Sequence, residues 1–231
     1  MTATTSIGHH PCTLKEISRP HFASGINFYK LFWIFSLGSV MGFLVETLWC
    51  LVKNGRLEVR ATFLFGPFNV IYGIGALALY VGLQKINKSK PLHIFLFGMV
   101  AGTVVEHLCS FVQEKAFGTM SWDYSHLPLN IGGRVCLLYS AFWGVLAIAW
   151  VKFIQPGMEK IIAKIPNSVG RPLTWALAAV ILLLAVLSIV AVSRWNLRLE
   201  GAPATNSIAA FCDRFFHNDF MSVIYPSMKA C

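Results

Sequence analysis

The sequence predicts an all-α integral membrane protein with five transmembrane helices, and three observations predict it. Hydrophobic residues fill 56% of the 231 positions and charged residues only 13%, far from the balance of soluble globular chains; mean hydropathy is +0.63. Apolar runs of the roughly 20 residues that a helix needs to cross hydrocarbon occur at about 31–52, 63–84, 92–112, 131–154 and 173–193. Two of these runs are near copies of each other.

Residues 1–27 form a polar N-terminal segment with prolines and histidines. It lacks the charged start, short apolar core and small-residue cleavage site of a secretory signal, so the first helix is expected to be retained. A transmembrane domain is expected over 28–194. Its first helix carries "FSLGSVMGFLVETLWCLV" and its third "FLFGMVAGTVVEHLCSFV". A shift of 60 superposes Gly38 on Gly98, Gly42 on Gly102 and Glu46 on Glu106, and a shift of 61 brings Asn69 onto Asn130. The expected unit is a helix-loop-helix present twice in tandem, with repeat one at about 31–84 and repeat two at about 92–154. Two crossings per unit make the copies point the same way through the membrane, related by a pseudo-twofold axis along its normal. The fifth helix, about 173–193, stands outside the repeat.

The tail, 195–231, places Ile208, Phe211, Cys212, Phe215, Phe216, Phe220 and Val223 at the spacing of one helical face,. This predicts an amphipathic C-terminal helix at about 207–224. It is too short and too charged to span, and lies either in the headgroup plane as an anchor or across the mouth of the bundle as a lid.

Two acids inside apolar runs require a reason. Gly38, Gly42 and Glu46 are spaced by four, as are Gly98, Gly102 and Glu106, so each set shares one helix face. Small residues at that spacing mark a packed face, which turns the glutamates into the bundle at one depth and towards each other near the repeat axis. Loops on the same side supply partners. Arg60 precedes "FLFGPFNVIYG", where Gly66 and Pro67 interrupt the helix start, and "SWDYSHLPLNIGGR" offers Trp122, Asp123, Tyr124, Asn130 and Arg134. An ionised carboxylate is costly in a low dielectric, so pairing with Arg60 or Arg134, or protonation, is expected. The candidate substrate- or ion-binding residues are therefore Glu46, Glu106, Arg60, Asn69, Asp123, Asn130 and Arg134.

The net charge of +9 comes from Lys and Arg in short loops. With no stacking or groove-reading motif beside them, anionic membrane lipids rather than nucleic acid are the expected partners. Loops on the N-terminal side hold ten Lys and Arg against five opposite, or nine when the tail is included, which favours a cytoplasmic N-terminus. The six cysteines form no CxxC pair, and those inside helices read as small apolar residues,. His9, His10 and Cys12 belong to the N-terminal tail, and no metal or cofactor is expected.

Over residues 28–155 these features resemble the CmpB-like family, the ABC-transporter type IV multi-pass membrane proteins. The resemblance rests on "GFLVETLWCLVKNGRLEVR", "FLFGPFNVIYGIGAL" and "WDYSHLPLNIGGRVCLLYSAFWG". The sequence departs from it at Val70, where relatives commonly place proline, and in the position of Arg60; the fifth helix and tail lie outside it. It implies a polytopic, permease-like protein of the cell or inner membrane. With no P-loop in the chain, an ABC-type mechanism implies a separate ATPase subunit, and a homo-oligomer is compatible with the reading. The expected function is a membrane transporter or permease with paired intramembrane carboxylates. The alternatives are a non-catalytic scaffold or accessory subunit, and an intramembrane lipid-processing enzyme. The last lacks an HExxH motif, a serine elbow, a haem pair or a histidine box.

Overall fold

Asn27 starts the first helix by accepting the Lys30 amide on its side chain at 2.9 Å, which satisfies one of the orphan donors of a helix N-terminus. The helix, α1 (Phe28–Asn54), ends at Gly55 with φ 67°, the left-handed cap that glycine adopts without a Cβ penalty. The computed structural model describes residues 20–86 and 90–230. His9, His10, Cys12 and most of the expected polar segment lie outside the described residues.

The second apolar run departs from expectation. Only Val70–Gly82 is helical (α2), 13 residues or about 20 Å, against a hydrocarbon core of about 30 Å. Residues 61–69 form irregular backbone instead, because Gly66 takes a φ of 86° and Pro67 cannot donate to a helix. This backbone is satisfied by protein, as membrane depth requires. The Thr62 N–H donates to Phe68 O at 2.7 Å, Leu64 N–H to Ser188 Oγ at 2.9 Å, and Asn69 N–H to Ser39 O at 3.0 Å.

α3 (Pro91–Phe117) starts with proline in its first turn and stops at Gly118, φ 60°, the asymmetry typical of helix ends. Three short strands follow: β1 (Thr119–Met120), β2 (Asn130–Ile131) and β3 (Val135–Cys136). The fourth helix was expected from residue 131, but 131–136 belong to the β2–β3 hairpin, which turns through Gly132 and Gly133 at φ 57° and 67°. α4 (Leu137–Ala149) then passes through a π turn at Trp150–Ile154 into α5 (Gln155–Ala163). The wider turn directly precedes Pro156 and accommodates its missing amide. α6 (Asn167–Leu199) is longer at both ends than the expected fifth helix. Among the described residues four helical stretches, Phe28–Asn54, Pro91–Phe117, Leu137–Ala163 and Asn167–Leu199, are long and apolar enough to cross a membrane. The expected count of five included α2, which is too short.

The two most extensively packed helix pairs are the hairpins α1–α2 and α3–α4. A Cβ on Gly38 would meet Ala76 and one on Gly98 would meet Ala147; a Cβ on Gly42 would overlap the Tyr72 ring and one on Gly102 the Trp143 ring. Glycine is required at these close approaches. The Phe35 ring lies against Gly73 and the Phe95 ring against Gly144. One apolar core, with Ile34, Ala76, Leu79, Ile94, Ala147, Trp150 and Met158, fills the end of the bundle near Phe22. At that end Phe22 N–H donates to Asn167 Oδ1 at 2.7 Å.

A second core lies at the other end, where the tail folds back on α6. The single amphipathic helix expected at 207–224 is two helices, α7 (Ser207–Phe215) and α8 (Asn218–Ile224). The break at Phe216 and His217, whose Nδ1 accepts the Phe220 amide at 3.3 Å, lets α8 turn. Cys212, Phe216, Met221 and Tyr225 then pack with Leu64, Ala191, Val192 and Trp195. The chain closes with β4 (Lys229–Ala230) antiparallel to β1.

Candidate intramembrane polar site

Glu46 follows Gly42 by one helical turn, and Glu106 follows Gly102 by one turn. The aromatic rings seated on those glycines, Tyr72 of α2 and Trp143 of α4, lie against each other with centroids 5.5 Å apart. This pair bridges the two hairpins. Towards the Phe22 end, Gly38, Gly42, Tyr72, Trp143, Trp150 and Met158 line a small apolar cavity of about 50 Å³.

The two acids are held by different chemistry. Glu46 Oε1 accepts from Arg60 Nε at 3.0 Å and lies 2.9 Å from Arg60 Nη2, and its Oε2 accepts from Asn69 Nδ2 at 2.7 Å. Arg60 reaches this position because residues 61–69 are not helical. Its carbonyl takes a second bond from Asn69 Nδ2 at 3.0 Å, and its Nη1 donates to Ser227 Oγ at 2.6 Å. Glu58 Oε2 is 3.9 Å from the same nitrogen. Asn69 is buried, and its Oδ1 has no partner among the described residues, an arrangement that native interiors rarely leave without a purpose.

Glu106 is 7% exposed. Its Oε1 accepts the Tyr124 hydroxyl at 3.0 Å, and its Oε2 accepts the Trp143 indole N–H at 3.3 Å. Among the described residues it makes no ion pair.

Of the residues expected at this site, Glu46, Arg60 and Asn69 form one hydrogen-bonded cluster, whereas Glu106 bonds to Trp143, whose ring packs on Tyr72. Arg134 does not pair with Glu106. It pairs with Glu114, two turns further along α3, and lies over the Phe111 ring. The reason is reach: Arg134 sits in the turn of the β2–β3 hairpin, between Gly133 and Val135, which holds it level with the C-terminal end of α3. Asn130, expected to match Asn69, is part of that hairpin. Its Nδ2 donates to Leu127 O at 2.8 Å and its Oδ1 accepts the Gly133 amide at 3.1 Å. Asp123 Oδ1 accepts the Ser125 amide at 2.9 Å. These two shape the 121–136 loop, whose Trp122 indole donates to Arg134 O at 2.8 Å.

The donors to Glu106 leave little trace in the sequence. Tyr124 is legible only as part of an ordered loop, and Trp143 and Tyr72 read as ordinary apolar helix residues; a signal exists in the glycines one turn before each acid. Ser227, which reaches Arg60 from 167 positions away, leaves no signal in sequence.

A family model described as "Putative ABC-transporter type IV" matches residues 33–189, which extends beyond the stretch 28–155 and takes in most of α6. No curated protein and no solved structure matches.

Proposed function

Because the chain belongs to the ABC-transporter type IV family, a membrane transport-related group, we propose that it is a permease in which Glu46 and Glu106 act as paired intramembrane carboxylates. The observation that carries this is the contrast between them. Glu46 is neutralised by Arg60, whereas Glu106, more deeply buried, has only a phenol and an indole as partners. A carboxylate among neutral donors in low dielectric takes up a proton or a small cation, and an intramembrane acid without a structural counter-ion is a functional group by default. Asn69 Oδ1 adds a buried acceptor beside Glu46.

The matching contacts of Gly42 with Tyr72 and Gly102 with Trp143 support an internal duplication with a pseudo-twofold axis between the hairpins, a common transporter plan. The cavity between them is too small for a solute larger than a few atoms, so transport requires one hairpin to rock against the other. The N-terminus is cytoplasmic in this reading, and an ATP-driven cycle would use a separate ATPase subunit.

Protein reconstituted into liposomes loaded with a pH-sensitive dye, under a potassium diffusion potential, tests the proposal against panels of amino acids, sugars and inorganic ions. The wild type admits protons with a solute that it carries, and Glu106→Gln does not. Proton entry no faster than in protein-free liposomes for every panel overturns it. The scaffold reading would then stand, favoured by the Arg60 cluster, which ties α1, the 61–69 segment and the tail together.

A further inference from the structure

α7 has two faces, and only one is explained by the packing of the chain on itself. Cys212 is buried against α6, and Asp213, partly exposed, faces the arginines of the same helix. Its Oδ2 accepts from Arg194 Nη2 and its Oδ1 from Arg198 Nη1, both at 2.7 Å. The one acid of α7 is therefore taken up by the two arginines of α6. The outward face keeps Ile208, Phe211 and Phe215, which are 64%, 49% and 53% exposed, although aromatic side chains carry a large hydrophobic payload. Phe211 and Phe215 lie together with centroids 4.7 Å apart, and the Arg214 guanidinium sits 5.5 Å over the Phe215 ring.

The depth of this face says what covers it. α7 does not project beyond the bundle; it folds back against Ala191, Val192 and Trp195, the residues where the apolar stretch of the spanning helix α6 gives way to Arg194, Asn196 and Arg198. That is the margin of the hydrocarbon layer. An exposed apolar face at that level, edged by an arginine, fits the boundary between lipid headgroups and acyl chains, where arginine keeps its charge at the phosphates while its stem lies on apolar surface.

We propose that α7 is a lipid-binding face: Ile208, Phe211 and Phe215 enter the acyl boundary of the bilayer, and Arg214 binds a phospholipid phosphate. The opposite side of the same segment holds α8 and Ser227 over Arg60, so the tail is seated on lipid and covers the polar site at once. The lipid contact is independent of any transport activity.

A photo-crosslinking amino acid placed at Phe211, Phe215 or Phe220, with the protein in nanodiscs of phosphatidylcholine and phosphatidylglycerol, tests this by mass spectrometry. Positions 211 and 215 are expected to gain the mass of one phospholipid. Position 220, whose ring contacts Phe65 and Phe216, is expected to crosslink within the chain. Arg214→Glu is expected to lower the lipid adduct at 211 several-fold and Arg214→Lys to preserve it. Adducts between two chains, or none at 211 and 215, overturn the proposal, and an adduct yield unchanged by Arg214→Glu removes the phosphate contact from it.

Discussion

Glu46 and Glu106, each one turn beyond a glycine that carries an aromatic ring, are held by different partners: Glu46 by a guanidinium and an amide, Glu106 by a phenol and an indole. The difference arises outside the helices. The segment before α2 is irregular and lets Arg60 fold back, while the segment before α4 forms a hairpin that commits Arg134 to Glu114. The two acids thus acquire unequal electrostatic surroundings.

Arg60→Ala leaves Glu46 without its cation. Hydrogen bonds to charged groups are worth about 1.5–3 kcal/mol, and partial solvent exposure of the pair lowers this towards about 1 kcal/mol. A double-mutant cycle with Glu46→Gln, read by thermal melting in detergent, should give a coupling free energy of about 1 kcal/mol or more. Additive losses would mean that the two side chains are independently solvated.

Tyr124→Phe removes the donor to Glu106 Oε1 at a buried position and should cost about 1–3 kcal/mol. The loss should shrink when Glu106 is already Leu, because no acceptor is then left unsatisfied. The same melting assay decides this, and an equal loss in both backgrounds would show that the Tyr124 hydroxyl does not act through Glu106.

Gly42→Ala and Gly102→Ala should each destabilise the protein by about 1–3 kcal/mol, since overpacking forces the seated ring or the backbone to shift. Gly157→Ala in α5 is the control. A Cβ there meets nothing within 4 Å, so the substitution should stabilise the helix by about 0.5–1 kcal/mol. Loss of the monodisperse peak on heating, followed by size-exclusion chromatography, separates the two behaviours.

Docking of the tail should depend on pH in a direction set by Asp213. Hydrogen bonds from Arg194, and then from Arg198, hold its carboxyl at about 2, below the roughly 3.9 of an unfolded aspartate. Because the folded value is depressed, this stabilisation is fully present above about pH 4 and is lost as pH falls through about 2. Pepsin should therefore cleave near Phe211–Phe216 slowly at about pH 4 and much faster at about pH 2. In Asp213→Asn the excess cleavage should already be present at about pH 4; cleavage of the variant matching wild type would remove Asp213 from the docking contact.

The amino-acid sequence by itself determined the membrane class, four of the long helices and the face that each acid shares with its glycines. Each of these follows from composition and from spacing along one helix, where geometry is local: Gly42 and Glu46 share a face wherever the helix goes. It also made a partner for the acids expected, Arg60 or Arg134 or a proton, but left the choice open; the fold pairs Arg60 with Glu46 and Arg134 with Glu114. Tertiary structure alone decided the rest. The second apolar run could not reveal that only Val70–Gly82 would be helical, since Leu64 is satisfied by Ser188, 124 residues distant, and such a partner makes irregular backbone tolerable at that depth. Asp213 gains its two arginine partners, Arg194 and Arg198, only when α7 folds back on α6, and Ser227 gains its bond to Arg60 only when the tail folds back over the site. Hydrophobic patterning records which face of a helix avoids water; it does not record which distant group will satisfy a polar atom, because that choice is made by packing between elements.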